Sequence, residues 1–203
     1  LLGITDNTTK KYVDESGIRV RRANEDDAKA VAVRLFDPDT LFKLAQWRRA
    51  KHYIKTPLKG PYVVAVHIVK GGTGKTTTAA EIALHLKLAG MKGLATDLDV
   101  QSNLTQYMGY EADLELKDAE AFNLTSEAVV GKTFAHVVCP YVGRGTTDSV
   151  GELIKKPFGE HGPHLIPSDA NLGDMEYAVS ASKGARELLL RKLLAEAAQG
   201  KIP

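Results

Sequence analysis

The chain carries a single cysteine, Cys139, in 203 residues. An internal disulfide is excluded, and a reducing compartment is the expected home. No apolar run approaches the roughly 20 residues of a membrane-spanning helix. No positively charged leader with an apolar core opens the chain. A membrane protein is therefore not expected, and a cytoplasmic location is. Net charge is also small, at +2.

With 43% apolar and 26% charged residues the composition is that of a soluble chain able to build one or two domains around a real core. The small net charge conceals an asymmetry. Residues 1–60 carry 13 Lys/Arg against 8 Asp/Glu, or +5, whereas residues 61–203 carry 14 against 17, or −3. A basic first part joined to a mildly acidic second part points to nucleic acid meeting the first, although a solvated surface reaches +5 over sixty residues by chance as well.

The most informative stretch is Lys70-Gly71-Gly72-Thr73-Gly74-Lys75-Thr76-Thr77, preceded by the apolar run Tyr62 to Val69. The β-branched run predicts a buried parallel strand, and Ala79, Ile82, Ala83 and Leu86 recur at helical spacing until Gly90 stops the helix. Strand, glycine loop and helix in that order form a phosphate cradle. Glycines let successive N–H groups curl around phosphate oxygens, and the helix N-terminus adds its positive dipole end. Lys75 supplies a point charge, Thr76 a hydroxyl suited to a Mg²⁺ ion bridging two phosphates, and Thr77 a further hydrogen bond. The common P-loop pattern would place glycine at position 69, where Val69 stands; here a second lysine, Lys70, precedes Gly71-Gly72.

This arrangement resembles the deviant Walker A motif, Lys-Gly-Gly-x-Gly-Lys-Thr/Ser, of the ParA/MinD family of ATPases. A second segment, Asp97-Leu98-Asp99-Val100-Gln101, closes a short apolar run and is similar to that family's Asp-x-Asp-Pro-Gln switch, with Val100 in the place of proline. The run would leave the sheet at its carboxyl edge, where ligands of open α/β sheets bind. The resemblance implies that Asp99 orients or deprotonates the attacking water, that Asp97 serves the Mg²⁺ shell and that Gln101 supports the switch. It also implies that Lys70 reaches across a dimer to the phosphates held by the other subunit.

Residues 1–57 read as helix, hairpin and helix. The first helix covers Thr8 to Ser16 and is closed by Gly17. Two alternating stretches, 18–22 and 30–36, flank the acidic turn Asn24-Glu25-Asp26-Asp27, and a second helix starts at Asp37-Pro38-Asp39 and ends near Arg48-Arg49-Ala50-Lys51. The order is similar to the winged helix-turn-helix module that precedes the ATPase domain of larger plasmid ParA proteins, the alternative being a small α+β dimerisation or docking segment. The resemblance implies DNA contacts from Lys10, Lys11, Arg19, Arg21 and Arg22. Tyr53 to Gly60 reads as a linker.

Beyond Gln101 a short helix is expected at Asn103 to Gly109 and a helix start at Thr125. Gly131-Lys132-Thr133 reads as a turn rather than a second nucleotide loop. His164 to Ser168 resembles the family's short Leu-Ile-Pro-Ser strand, followed by helices from Leu172 and from Ser182 to Ala198. The family's Walker B strand would begin where the sequence stops at Pro203, so the sequence is expected to represent part of a longer molecule, with residues missing before Leu1 as well. Iron–sulfur relatives are disfavoured, since one cysteine cannot hold a cluster.

The expected architecture is thus an α/β P-loop NTPase with a mostly parallel sheet over 58–203, preceded by a winged helix-turn-helix-like domain over 1–57. The resemblance implies an ATP-hydrolysing DNA partition protein of the bacterial cytoplasm and nucleoid. It would use ATP/ADP and Mg²⁺, form an ATP-dependent homodimer, contact specific and non-specific DNA and act with a ParB-type centromere-binding partner, without a membrane. Two alternatives remain open, a nucleotide-responsive transcriptional repressor and a MinD-like membrane-cycling ATPase.

Overall fold

The computed structural model describes residues 2–23, 33–55, 62–138 and 150–181. The expected acidic turn at 24–27, part of the second hairpin stretch, most of the linker, the loop around Gly143-Arg144-Gly145 and the helix over 182–198 lie outside the described residues. The chain falls into two compact units. The first comprises 1–59 with 81–93 and 156–164, the second 60–80 with 94–155 and 165–203.

The first unit begins with helix α1 (Asp6–Ser16), two residues earlier than its periodicity predicts, because the Thr5 hydroxyl caps it by accepting the Thr8 N–H. Gly17 ends it in the left-handed conformation, φ 65°, which glycine adopts without Cβ strain. A short antiparallel hairpin follows, β1 (Arg21–Arg22) with β2 (Arg34–Leu35), in the register Arg21 to Leu35 and Arg22 to Arg34. Among the described residues both strands are shorter than the alternating stretches suggest. Helix α2 (Pro38–Ala50) is capped by the Asp37 carboxylate, which accepts the Thr40 N–H at 2.8 Å; that bond holds the Asp37 carboxyl below the usual carboxylate range.

Val13, Ile18 and Leu44 form the buried centre of this unit, with Leu2, Tyr12, Val20, Phe36 and Trp47 packed around them. Each fully buried aliphatic side chain contributes about 1.5–3 kcal/mol through removal from water. Tyr12, Trp47 and Tyr53 add a three-ring cluster, with Tyr12 and Tyr53 stacked at 4.9 Å, that clasps α1 to α2. The segment 156–164 docks on α2: Asp39 accepts the His161 N–H at 2.7 Å, the Gln46 amide donates to the His161 carbonyl, and Phe42 meets Phe158 edge-on. Burial pushes the His164 imidazole and the Lys87 ammonium below their ordinary values.

In the second unit the run Tyr62 to Val69 departs from expectation. It is extended but belongs to no ladder among the described residues, and Val63 and Val69 are 68% and 93% exposed. A β-branched run prefers extended backbone, yet a strand is stabilised only where a neighbour accepts and donates its hydrogen bonds. The sheet that does form has two strands, β3 (Leu94–Thr96) and β4 (His164–Ile166). They are parallel: His164 N–H donates to the Gly93 carbonyl and Asp97 N–H to the Ile166 carbonyl, so the partners advance together. The outer side of β4 exchanges two backbone bonds with Lys155.

Helix α3 (Lys75–Leu88) opens at the glycine loop and runs to Gly90, and α4 (Asn103–Tyr107) follows the Asp97–Gln101 segment, both as expected. No helix forms at Thr125. That region makes turns leading to a bridge between Glu111 and Val129. Two short 3-10 turns, Leu116–Asp118 and Glu120–Phe122, precede helices α5 (Phe134–Val138), α6 (Val150–Leu153) and α7 (Leu172–Ala181). Phe134, Val150, Leu153 and Ile166 form the buried centre here, lined by Leu94, Ile154 and Met175. No described helix is long and apolar enough to cross a membrane.

Candidate functional site

The glycine loop Lys70–Gly74 is held by its own chemistry. The Thr73 hydroxyl donates to the Lys70 carbonyl at 3.0 Å, and the Gly74 carbonyl accepts the Thr78 N–H at 2.9 Å to begin α3. Gly72 and Gly74 take φ of 69° and 78°, a conformation that Cβ-bearing residues rarely adopt, while Gly71 needs no such freedom. A Cβ at any of the three would meet nothing within 4 Å, so it is backbone conformation rather than crowding that calls for glycine at 72 and 74.

Among the described residues no protein acceptor takes the N–H groups of Gly71 through Thr77. Unpaired donors at a helix N-terminus, reinforced by the dipole, form an anion site. Lys75, the first residue of α3, is one-third exposed and lies 3.6 Å from the Asp99 carboxylate. Ion pairs this exposed contribute only about 0–1 kcal/mol, so the pair yields readily to a ligand of higher charge. Lys70, Thr73 and Thr77 are exposed and Thr76 is half-buried. The Thr76 hydroxyl has no partner among the described residues.

The Asp97–Gln101 segment leaves β3 as two successive Asx turns. Asp97 Oδ1 accepts the Asp99 N–H and Asp99 Oδ1 accepts the Gln101 N–H, each at 3.1 Å. Asp97 is 3% exposed. Its second oxygen accepts both the N–H and the hydroxyl of Thr105, at 2.9 and 2.7 Å. Three protein donors thus occupy a carboxylate with about four lone pairs. Asp99 is half-exposed and turned to Lys75, and the exposed Gln101 side chain accepts from the Asn103 amide at 3.2 Å.

Thr105 and Ser168, both fully buried, belong to this network; Ser168 closes the expected Leu-Ile-Pro-Ser strand, but the sequence marks neither as a candidate site residue. The Thr105 hydroxyl accepts the Ser168 N–H at 2.9 Å, and the Ser168 hydroxyl donates to the Asp99 carbonyl at 2.9 Å. The available signal was a hydroxyl residue in the first turn of the helix after an acidic segment. Lys132 of the Gly131-Lys132-Thr133 turn pairs with Glu152. Its ammonium is therefore engaged within the protein. The residues expected to meet DNA, Lys10, Lys11, Arg19, Arg21 and Arg22, are all exposed on α1 and the hairpin arm of the first unit. Lys11 pairs with Glu15.

A glycine loop with free amides at a helix start, facing an acidic segment at the end of a parallel strand, defines a P-loop NTPase-like α/β protein. The family model AAA_31, described as an AAA domain, matches residues 62–199, and the chain belongs to that family. Over 132 residues, 63% of the chain, it is 30% identical to the protein named "Putative replication protein A" of Sinorhizobium fredii. It is also 37% identical over 67 residues, 33% of the chain, to the chromosome-partitioning ATPase Soj of Treponema pallidum, and 44% identical over 50 residues, 25% of the chain, to that of Thermus thermophilus. The matched stretches span only 28%, 26% and 20% of the lengths of these relatives. Among solved structures, cobyrinic acid a,c-diamide synthase of Mycobacterium smegmatis, with bound ATP analogue and magnesium, is similar over 64% of this chain and 44% of that one, at 24% identity and a TM-score of 0.49.

Proposed function

We propose that this chain is the nucleotide-binding part of a ParA-type DNA partition ATPase, with a deviant Walker A loop at 70–77, that acts as an ATP-dependent homodimer. The observation that carries the reading is the run of free N–H groups from Gly71 to Thr77 with Lys75 beside Asp99. The partitioning role of the Soj relatives supports it. In this reading the loop amides and Lys75 bind the phosphates of ATP, and Lys75 exchanges Asp99 for them. The freed Asp99 carboxylate orients a water for attack on the terminal phosphate and takes its proton, giving ADP and phosphate. Thr77 adds a phosphate hydrogen bond, and Gln101 steadies the segment.

Magnesium, when bound, neutralises charge on the transferred group. The free Thr76 hydroxyl fits direct ligation, whereas Asp97, with three donors already on it, fits a contact through the ion's bound water.

Measuring ATP turnover and nucleotide affinity of the wild-type and Asp99→Ala proteins tests the assignment. Asp99→Ala is expected to bind ATP within about threefold of wild type and to lose turnover, because a water-positioning group acts mainly at the transition state. Equal losses of affinity and turnover would make Asp99 a binding residue. Absence of wild-type turnover would remove the ATPase reading.

We further propose that 58–203 is the ATPase domain and 1–57 a winged helix-turn-helix-like DNA-binding domain, with α1 entering the groove and the hairpin arm touching the backbone. The helix, hairpin, helix order and the exposed basic residues support it. A ParB-type partner and operon repression follow from the same reading. The Arg21→Ala/Arg22→Ala protein should bind DNA more weakly and flatten the logarithmic salt dependence by about one unit per lost phosphate contact. An unchanged slope in a binding titration across salt concentrations would take the hairpin off the DNA.

A further inference from the structure

The Asp99 backbone is gripped from both sides by buried hydrogen-bonding side chains. Its N–H is held by Asp97 Oδ1, and its carbonyl accepts both the Ser168 hydroxyl and the Ser102 N–H. Asp97 is in turn fixed by two bonds from Thr105, whose hydroxyl also accepts the Ser168 N–H. The circuit Asp99, Asp97, Thr105, Ser168 and back to Asp99 is closed, and Asp97, Thr105 and Ser168 are at most 3% exposed. It ties the segment after β3 to α4 and to the end of β4. The Asp99 carboxylate lies outside the circuit, with Oδ2 facing Lys75 and Oδ1 accepting the Gln101 N–H.

We propose that Thr105 and Ser168 are positioning residues that hold the Asp99 carboxylate at the distance and angle its work at the phosphates requires, an inference that rests on the ATPase reading above. A hydroxyl is needed at 105 because that one oxygen must donate to Asp97 and accept from Ser168, which valine of the same shape cannot do. Buried groups of a satisfied polar network gain rigidity from it, and losing one partner orphans the others.

The test compares wild type with Thr105→Val, Thr105→Ser and Ser168→Ala by steady-state ATP hydrolysis and by amide hydrogen exchange over residues 97–105. Thr105→Val and Ser168→Ala are expected to lower kcat about 10- to 100-fold, as small misplacements of a reacting group do, while KM for ATP stays within about twofold. Thr105→Ser should recover most of kcat, and the Asp99 and Ser102 amides should exchange at least about tenfold faster in Thr105→Val, as local opening becomes easier. A Thr105→Val protein with wild-type kcat overturns the proposal, as does an equal loss in Thr105→Ser and Thr105→Val. Exchange over 97–105 unchanged by Thr105→Val overturns the circuit itself, whatever the turnover. A wild-type protein that hydrolyses no ATP overturns the catalytic role together with the ATPase reading, and the exchange data then judge the circuit separately.

Discussion

A Lys70→Ala protein is expected to bind ATP almost as well as wild type and to hydrolyse it about 10³- to 10⁵-fold more slowly, the range lost when a charged finger supplied by a partner is removed. The loop contains two lysines with different surroundings. Lys75 begins α3 and faces the Asp99 carboxylate, and in the proposed reading it serves the phosphates of its own subunit. The Lys70 side chain is exposed, and among the described residues only the Lys70 carbonyl is engaged, by the Thr73 hydroxyl. Its charge is thus available to a second copy, as the resemblance to the ParA/MinD loop implies. Sedimentation with a non-hydrolysable ATP analogue is expected to show wild-type dimers and Lys70→Ala monomers, and Lys75→Ala should lose nucleotide binding at the outset. A Lys70→Ala protein that dimerises and turns over like wild type would sink the shared-site dimer.

The second large effect concerns stability. Gly90 closes α3 with φ 73°, and a Cβ there would lie 2.5 Å from the Ala45 carbonyl oxygen and 2.7 Å from the Arg49 Cβ of α2. Ala at this site pays about 1–2 kcal/mol for the left-handed conformation and about 1–3 kcal/mol for forcing apart a packed contact that includes backbone. The sum, about 2–5 kcal/mol, is a large share of the roughly 5–15 kcal/mol that stabilises a folded domain. At about 2–4 °C per kcal/mol, Gly90→Ala should lower Tm by about 4–20 °C in a circular dichroism melt. Gly72→Ala is the control. It has a similar φ, 69°, but nothing within 4 Å, so only the conformational cost should appear. Equal shifts for both variants would remove the close approach of α3 to α2.

Much of the site was legible because its parts are close in sequence. The glycine spacing of 71, 72 and 74 carries the loop, and helix α3 follows from the 3.6-residue recurrence after it. Asp97 and Asp99 were likewise visible, since a run of apolar residues closed by acids marks the end of a strand in an α/β chain. Separate roles for the two came only from the family resemblance, and their different surroundings were not visible in the pattern. Which carboxylate is buried and which faces Lys75 depends on Thr105, eight residues beyond Asp97, and on Ser168, far along the chain.

The run 62–69 illustrates the opposite limit. Its β-branched residues set an extended backbone, but composition cannot supply a strand partner, and the described residues pair β3 with β4 instead. By itself the sequence determined the local features: the loop conformation that glycine permits, the caps at Thr5 and Asp37, the helical stripes and the charge at each end of the glycine loop. Tertiary structure alone decided which of these meet. Hydrogen bonds such as Ser168 to Asp99, and close approaches such as Gly90 to Ala45, join residues tens of positions apart. They depend on how whole elements pack, and no short-range preference of either residue encodes them.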